Sequence, residues 1–368
     1  MEFTHTEERS MLADTLRRLI ADKYPIETRH QSAESELGYS GEFWSECAEL
    51  GLIGALFTEE AGGFGGAGFD ISVVFEELGR GLVVEPFLAT LLGGTALVKV
   101  GRIDLLEAII SGETRVAFAH YEPTSRYELA DVTTTAQDKD GSWILSGQKS
   151  YAYNANSADF IVVTARTSGE VDDENGISLF LVPKDVEGLT VRSYPTLDGY
   201  RAAEISLDGV SLSGEALLAE DAFGIIEEVI SAGAFASAAE AVGASDVAAE
   251  LTLDYLKTRT QFGRPIGTFQ ALQHRMADMM IEIEQLRSSL INASDRFDKD
   301  RATREWAVSA VKTLAGQTGR LVSEETIQLH GGIAMTWEYA AGHYAKRLVM
   351  IDHMFGDSDH HLERAVAL

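Results

Sequence analysis

Two guanidinium groups, Arg259 and Arg264, lie in a short run that also contains Gly263, Pro265 and Gly267. The run separates two long stretches, 223–258 and 269–297, that carry apolar residues at helical spacing. Glycine permits unusual backbone angles and proline stops a helix, so the spacing predicts two helices meeting at a polar corner. A guanidinium fork there matches phosphate geometry and can clamp an anion. It can equally be a favourable charge near the negative end of a helix dipole. A second candidate helix end is Gln328-Leu329-His330-Gly331-Gly332. Its glycines either let the backbone approach a ligand or simply end the helix. A third glycine-rich stretch, Glu59 to Gly66, is flanked by carboxylates and lacks the Lys-Ser/Thr of a nucleotide loop. It reads as a mobile surface turn or part of a substrate channel.

The elements that position these residues fall into three blocks. Up to residue 114 the chain reads as helical, with helices over Thr4–Tyr24, Glu42–Leu50, Asp70–Arg80, Phe87–Val100 and Ile103–Ser111. Thr4 and Glu7 have the spacing of a capping box, and Met11, Leu12, Leu16, Leu19 and Ile20 share one face. From 115 to 213 come short runs rich in Val, Ile, Thr and Phe, at Val116–His120, Asp159–Arg166, Ile177–Val182 and Leu189–Tyr194. Turns such as Asp138-Lys139-Asp140-Gly141 separate them, so they are expected to form antiparallel strands of a small barrel or sandwich. From 214 to 368 the pattern is helical again, and its Ala-rich stretch 234–249 suits close packing in a bundle.

Composition narrows the partners. With 58 acidic and 30 basic residues the net charge is −28, which disfavours nucleic acid and anionic membrane surfaces. The same charge disfavours small anionic ligands unless Arg and Lys are gathered locally. The single cysteine, Cys47, lies among Trp44, Leu50 and Leu52 and reads as a buried thiol in a reducing cytoplasm. The start, Met1-Glu2-Phe3-Thr4-His5, does not look like a signal peptide, and no charge-free run of about 18 apolar residues suggests a membrane span.

Arg259-Thr260-Gln261-Phe262-Gly263 followed by Phe269-Gln270-Ala271-Leu272-Gln273-His274 resembles the signature of acyl-CoA dehydrogenases. Gln328 to Gly332 resembles that family's second helix-end signature, at the family's spacing. The resemblance covers essentially the whole chain. It implies an α-helical N-terminal domain, 1–114, a middle β-barrel domain, 115–213, and a C-terminal four-helix bundle, 214–368. It also implies FAD at a subunit interface, its isoalloxazine against one chain's β-domain and its pyrophosphate and adenine against the neighbour's helix ends. A glutamate base takes the α-proton of an acyl-CoA thioester while the β-hydrogen leaves as hydride to the flavin, and an electron-transferring flavoprotein receives the electrons. On this reading Arg259, Phe262, Gln270, Gln328, Leu329, His330, Gly331 and Gly332 are the cofactor-binding residues.

The β-domain signatures depart from the family. Its Thr-Glu-Pro-x-Ala-Gly-Ser-Asp loop corresponds to Tyr121-Glu122-Pro123-Thr124-Ser125-Arg126-Tyr127, and its Gly-x-Lys-x-Trp-Ile-Thr/Ser strand to Gly147-Gln148-Lys149-Ser150-Tyr151-Ala152-Tyr153. Tyr121 and Tyr153 either fill the space of a flavin or stack on it. The base is absent: the family's Tyr-Glu-Gly falls on Met354-Phe355-Gly356. The alternative base position on the first bundle helix is Gly233, and Ala234 stands where an arginine is expected to follow it. Asp357 is the nearest carboxylate able to replace the base, with Asp352 a poorer candidate. These two, with Asp359 and Glu363, can instead solvate the surface and cap the last helix. His353, His360 and His361 are irregularly spaced on different expected elements, so no metal site is expected.

Helix ends kept and base lost resemble the small subunits of bacterial heteromeric acyl-CoA dehydrogenases of the pimeloyl-CoA and steroid-side-chain type. There a catalytic large subunit supplies the glutamate within a heterotetramer. The alternative is a self-associating homotetramer with a displaced base such as Asp357.

Overall fold

A computed structural model describes residues 6–368. Met1 to His5, including Thr4 of the expected capping box, lie outside them. The helices are α1 (Glu7–Lys23), α2 (Ile26–Glu34), α3 (Gly41–Glu49), α4 (Gly68–Gly81), α5 (Phe87–Lys99), α6 (Leu106–Ile110), α7 (Phe223–Thr258), α8 (Gln270–Arg296), α9 (Arg301–His330), α10 (Ala341–His353) and α11 (Ser358–Ala367). The strands are β1 (Val116–Ala119), β2 (Thr135–Lys139), β3 (Ser142–Tyr153), β4 (Phe160–Arg166), β5 (Ile177–Pro183), β6 (Leu189–Pro195), β7 (Arg201–Ser213), β8 (Leu217–Ala219), β9 (Thr260–Gln261) and β10 (Arg264–Pro265). They form two compact units: one of residues up to His30 with Gly66–Val83 and Ala234–Leu368, the other of Gln31–Gly65 and Val84–Gly233.

In the first unit α1 is capped by Thr6, whose hydroxyl accepts from Arg9 N at 3.3 Å. Leu16, Leu19 and Ile20 are buried as expected, but Met11 is exposed. The small residues of α7 do what their spacing suggests: alanines from 234 to 248 are fully packed, and backbone meets backbone at two glycines. A Cβ on Gly79 would overlap the carbonyl oxygen of Glu240 and one on Gly243 that of Glu76, so α4 and α7 meet backbone to backbone, each through a glycine. Across this core Arg347 Nε reaches Glu240 Oε1 at 2.6 Å, both side chains buried, and Tyr344 donates to Arg80 O at 2.5 Å.

The second unit is built on an eight-stranded sheet ordered β6-β7-β3-β2-β4-β5-β8, with β1 added beside β4. Its pairings leave an open path among the described residues, so the expected barrel is not closed. Nor is the sheet wholly antiparallel: β1 and β2 both run parallel to β4. The long β3–β7 ladder carries two irregularities, between Leu145 and Gly147 and between Lys149 and Ala152. The second puts Tyr151 at φ 56° and re-aims the strand's end. The turn at Asp138–Gly141 appears where expected, with Gly141 N donating to Asp138 Oδ1 at 3.0 Å.

The glycine-rich stretch at 59–66 is a hydrogen-bonded turn rather than a loose one. Gly63 N donates to Thr58 O, Phe64 N to Gly54 O and Gly65 N to Phe57 O, while Gly63 sits where a Cβ would overlap the carbonyls of Phe57 and Gly54. Close packing of the chain on itself demands the glycine there.

Candidate functional site

The polar corner is a tight hairpin. Arg259 N closes the last turn of α7 on Tyr255 O at 2.8 Å, Ile266 N donates to Arg259 O at 2.9 Å, and β9 pairs with β10 between them. Phe262 at the tip takes φ 55° and is 90% exposed, with Gly263 after it at φ 78°. Arg264 places its guanidinium 4.2 Å from the Phe269 ring centroid. The guanidinium of Arg259 is exposed and makes no hydrogen bond or ion pair among the described residues. Gln270, the first residue of α8, is exposed too.

The second candidate segment lies at the same end of the bundle. Tyr255, one turn before Arg259, packs its ring against His330 at a tilt, with ring centroids 4.6 Å apart, which brings the C-termini of α7 and α9 together. His330 is buried and both its ring nitrogens are engaged, Nδ1 with Thr326 O at 2.8 Å and Nε2 with Tyr339 OH at 3.1 Å. Burial pushes its pKa down. His330 and the buried Leu329 therefore brace the helix end from inside, whereas Gln328, Gly331 and Gly332 face out. Gly331 takes φ 67° and ψ −145°, a conformation open essentially to glycine. A Cβ on Gly263, Gly331 or Gly332 would meet nothing within 4 Å, so packing within the chain does not account for these glycines. An exposed unpaired guanidinium, two amides and an open glycine backbone fit the anionic tail of a dinucleotide.

In the sheet unit the residues shared with the family signatures turn out to be a buried latch. Lys149 Nζ donates to Glu122 Oε1 at 2.6 Å, Thr164 Oγ1 at 2.9 Å and His120 O at 3.2 Å, with both charged side chains out of solvent. Glu122 also accepts from Thr133 N at 2.9 Å and Thr134 N at 3.0 Å. Burial alone would raise the Glu122 pKa, but Lys149 and these donors outweigh it and hold the carboxyl at about 2. His120, whose Nδ1 lies 3.1 Å from Thr164 Oγ1, is pushed to about 3 by burial and by Lys149. The latch ties the loop after β1 to β3 and β4. Spacing alone did not reveal it, because its members lie far apart in sequence. Tyr153 is 5% exposed and its ring meets Tyr151 edge-on at 5.2 Å, so that phenol is packed inside its own unit.

At the turn on which the Tyr-Glu-Gly signature is expected to fall, Phe355 is buried with φ 58° and Gly356 takes φ 113°. The turn carrying them is held from beneath. Lys312 Nζ donates to Asp352 O at 3.0 Å and Gly356 O at 2.7 Å, and His361 Nε2 lies 3.0 Å from Phe355 O. Asp357 is the N-cap of α11, its Oδ1 accepting from His360 N at 2.9 Å, and Asp352 Oδ1 accepts from Ser358 N at 3.0 Å. Both aspartates are thus engaged in the turn. His361 also approaches Ser309 Oγ at 3.3 Å through Nδ1. No cluster of three or more metal-ligating side chains occurs among the described residues. Gly233 and Ala234 lie buried in α7. Cys47 is buried, which raises its thiol pKa.

Models of the N-terminal, middle and C-terminal domains of acyl-CoA dehydrogenases match residues 6–112, 117–210 and 222–367. The chain belongs to the acyl-CoA dehydrogenase family. It is 30% identical over 343 residues to acyl-CoA dehydrogenase IpdE2 of Mycolicibacterium smegmatis, covering 93% of this chain and 92% of that one. Among solved structures it resembles a variant of the Tcur3481-Tcur3483 steroid ACAD, with a TM-score of 0.87, 30% identity and 98% and 97% of the two chains covered. It shares its fold with a chain of the ChsE4-ChsE5 complex of Mycobacterium tuberculosis, at a TM-score of 0.90 and 22% identity over 100% and 98% of the two chains. Family members are FAD-dependent oxidoreductases acting on the CH–CH group of acyl-CoA. No helix among the described residues is long and apolar enough to cross a membrane.

Proposed function

We propose that this chain is a subunit of a heteromeric acyl-CoA dehydrogenase, completing the FAD site of a catalytic partner without supplying the base. The observation that carries the reading is the contrast between two places in one unit. The helix ends present an unpaired Arg259 and open glycines, while the turn at the base position presents Phe355 with its neighbouring aspartates engaged. Arg259 would pair with the diphosphate, Phe262 would pack beside the dinucleotide, Gln270 and Gln328 would offer amides, and Gly331 and Gly332 would admit close approach. Leu329 and His330 keep that end in shape. FAD, when bound, supplies the hydride acceptor. This chain's residues would hold and orient its tail, and proton abstraction would fall to a glutamate of the partner.

Tyr153, packed within its own unit, supports occlusion of a flavin ring there rather than stacking on one. Similarity to a steroid ACAD at 30% identity favours a bulky acyl group, with electrons leaving to an electron-transferring flavoprotein in the cytoplasm. The test is flavin content and bleaching by acyl-CoA, first for the chain purified alone and then after co-expression with a glutamate-bearing acyl-CoA dehydrogenase chain. Colourless or unreduced protein alone, with flavin retained in the complex and lost on Arg259→Ala, is expected. Stoichiometric flavin that bleaches in the isolated chain, and no longer bleaches in Asp357→Asn, would establish instead a self-sufficient enzyme with a displaced base.

A further inference from the structure

Asn175 is the only one of the four asparagines that precedes a glycine; Asn154, Asn156 and Asn292 precede alanine or serine. An asparagine carboxamide can be attacked by the backbone nitrogen of the next residue, and a glycine leaves that nitrogen unhindered. Asn175 is exposed, and its carboxamide makes no hydrogen bond among the described residues, whereas Gly176 is buried just before β5. The peptide unit joining the two is gripped at both ends by opposite charges. Arg166 Nη1 donates to Asn175 O at 3.0 Å, and Gly176 N donates to Asp221 Oδ1 at 2.7 Å. The Arg166 guanidinium is buried, and among the described residues it otherwise bonds carbonyl oxygens alone, those of Ala130, Val132, Ser168, Val171 and Asp173. Asp221 takes φ 49° and is followed by Ala222, whose N donates to Ile177 O at 2.7 Å. A left-handed backbone at a residue other than glycine persists only where its surroundings hold it, and here it aims the carboxylate at Gly176 N.

A carboxylate within hydrogen-bond reach of an N–H can take its proton, and a guanidinium on the carbonyl oxygen stabilises the negative charge that then develops there. The deprotonated nitrogen is the nucleophile. We propose that Asn175-Gly176 is a self-modification site, at which the Gly176 nitrogen closes on the Asn175 carboxamide with Asp221 as base and Arg166 steadying the oxygen. The new bond joins Gly176 N to Asn175 Cγ, and the Cγ–Nδ2 bond breaks. The proton taken by Asp221 leaves with Nδ2 as ammonia, and nothing is oxidised or reduced. Water then opens the five-membered succinimide. Attack at one carbonyl gives aspartate; attack at the other gives isoaspartate, in which the main chain runs through the side-chain carbons. Either product adds a negative charge next to Glu174, and isoaspartate also lengthens the backbone of a turn held by Arg166 and Asp221. The site lies wholly in the sheet unit and does not depend on the proposed function.

The test incubates the full chain at neutral pH, once folded and once unfolded in guanidinium chloride. The peptide containing residue 175 is followed by mass spectrometry, and isoaspartate is labelled with protein isoaspartyl methyltransferase. An exposed Asn-Gly pair that gains nothing from the fold reacts no faster folded than unfolded. Here the folded chain should react about ten-fold or more faster. Its rate should also stay level across neutral pH, because the base is a carboxylate already ionised, whereas the rate of the unfolded chain rises with hydroxide. Asp221→Asn keeps an oxygen to accept from Gly176 N but cannot take the proton. It should slow the folded chain about ten-fold or more and leave the unfolded rate unchanged. A folded chain no faster than the unfolded one, or an Asp221→Asn chain as fast as the original, overturns the proposal. The comparison on the unaltered chain needs no variant, so it decides the matter even where Asp221→Asn fails to fold.

Discussion

Replacing Lys149 by methionine is expected to be among the most damaging single changes in the sheet unit. The methionine keeps much of the aliphatic bulk but removes the ammonium group. That group bonds Glu122 at 2.6 Å, Thr164 at 2.9 Å and the His120 carbonyl at 3.2 Å, in a site from which water is excluded. Glu122 then keeps its donors from Thr133 and Thr134 but loses the cation of Lys149, and a buried carboxylate stripped of its partner costs about 3–5 kcal/mol. Urea unfolding followed by circular dichroism at pH 7 measures this as a drop in midpoint with little change in slope. Replacing both residues together, Lys149→Met with Glu122→Leu, removes the uncompensated charge and should recover most of the loss, because apolar pairs substitute for buried ion pairs at little net cost. A loss below about 1 kcal/mol for Lys149→Met alone would mean that Glu122 is not held as an anion by this lysine, and the latch would have to be abandoned. The same experiment against pH has a fixed sign. The Glu122 pKa, about 2 in the folded chain against an ordinary 4.5, gives stability that is present above pH 4.5 and is lost as pH falls towards 2.

Three further outcomes follow from the bundle. Asp357→Ala should cost about 0.5–2 kcal/mol through loss of the α11 cap while Asp357→Asn costs little, and equal losses in both would contradict the capping role. Burial lowers the Lys312 pKa to about 7, against the pull of Asp352 and Asp357, so the folded chain binds fewer protons than the unfolded one between about pH 7 and 10.5. This group's contribution to stability therefore rises with pH across that window, and a stability profile for Lys312→Met that keeps the same rise would exclude it as the source. Gly243→Ala forces α4 and α7 apart and should destabilise by about 1–3 kcal/mol, read as a lowered unfolding midpoint; an unchanged midpoint would show that the helices separate freely there.

The features that local chemistry controls were legible in the residues alone. Helical spacing marked α7 and α8 almost to the residue, and the glycines and proline between them marked the corner, because periodicity and turn preference act within a few residues. The Asp138–Gly141 turn was legible for the same reason, as was the Ala-rich helix that packs against its neighbours. The three-part order of helical, sheet and helical segments followed from composition. The remaining points needed the folded chain, since each depended on partners distant in sequence. That Asp357 caps α11 became visible only from where α11 begins, and that the stretch at 59–66 is hydrogen-bonded onto neighbouring backbone only from the carbonyls of Gly54 and Phe57. The parallel pairing of β1 and β2 with β4 has no local signature, because strand direction depends on the path of the chain between strands. His330 looked equivalent to its neighbours in the helix-end segment, yet Tyr255, Thr326 and Tyr339 draw it inward while Gln328 and the glycines face out. Glu122 and Lys149 each stood in a signature of its own, and only the fold joined them, because a buried charge is tolerated only where the chain delivers its counter-charge.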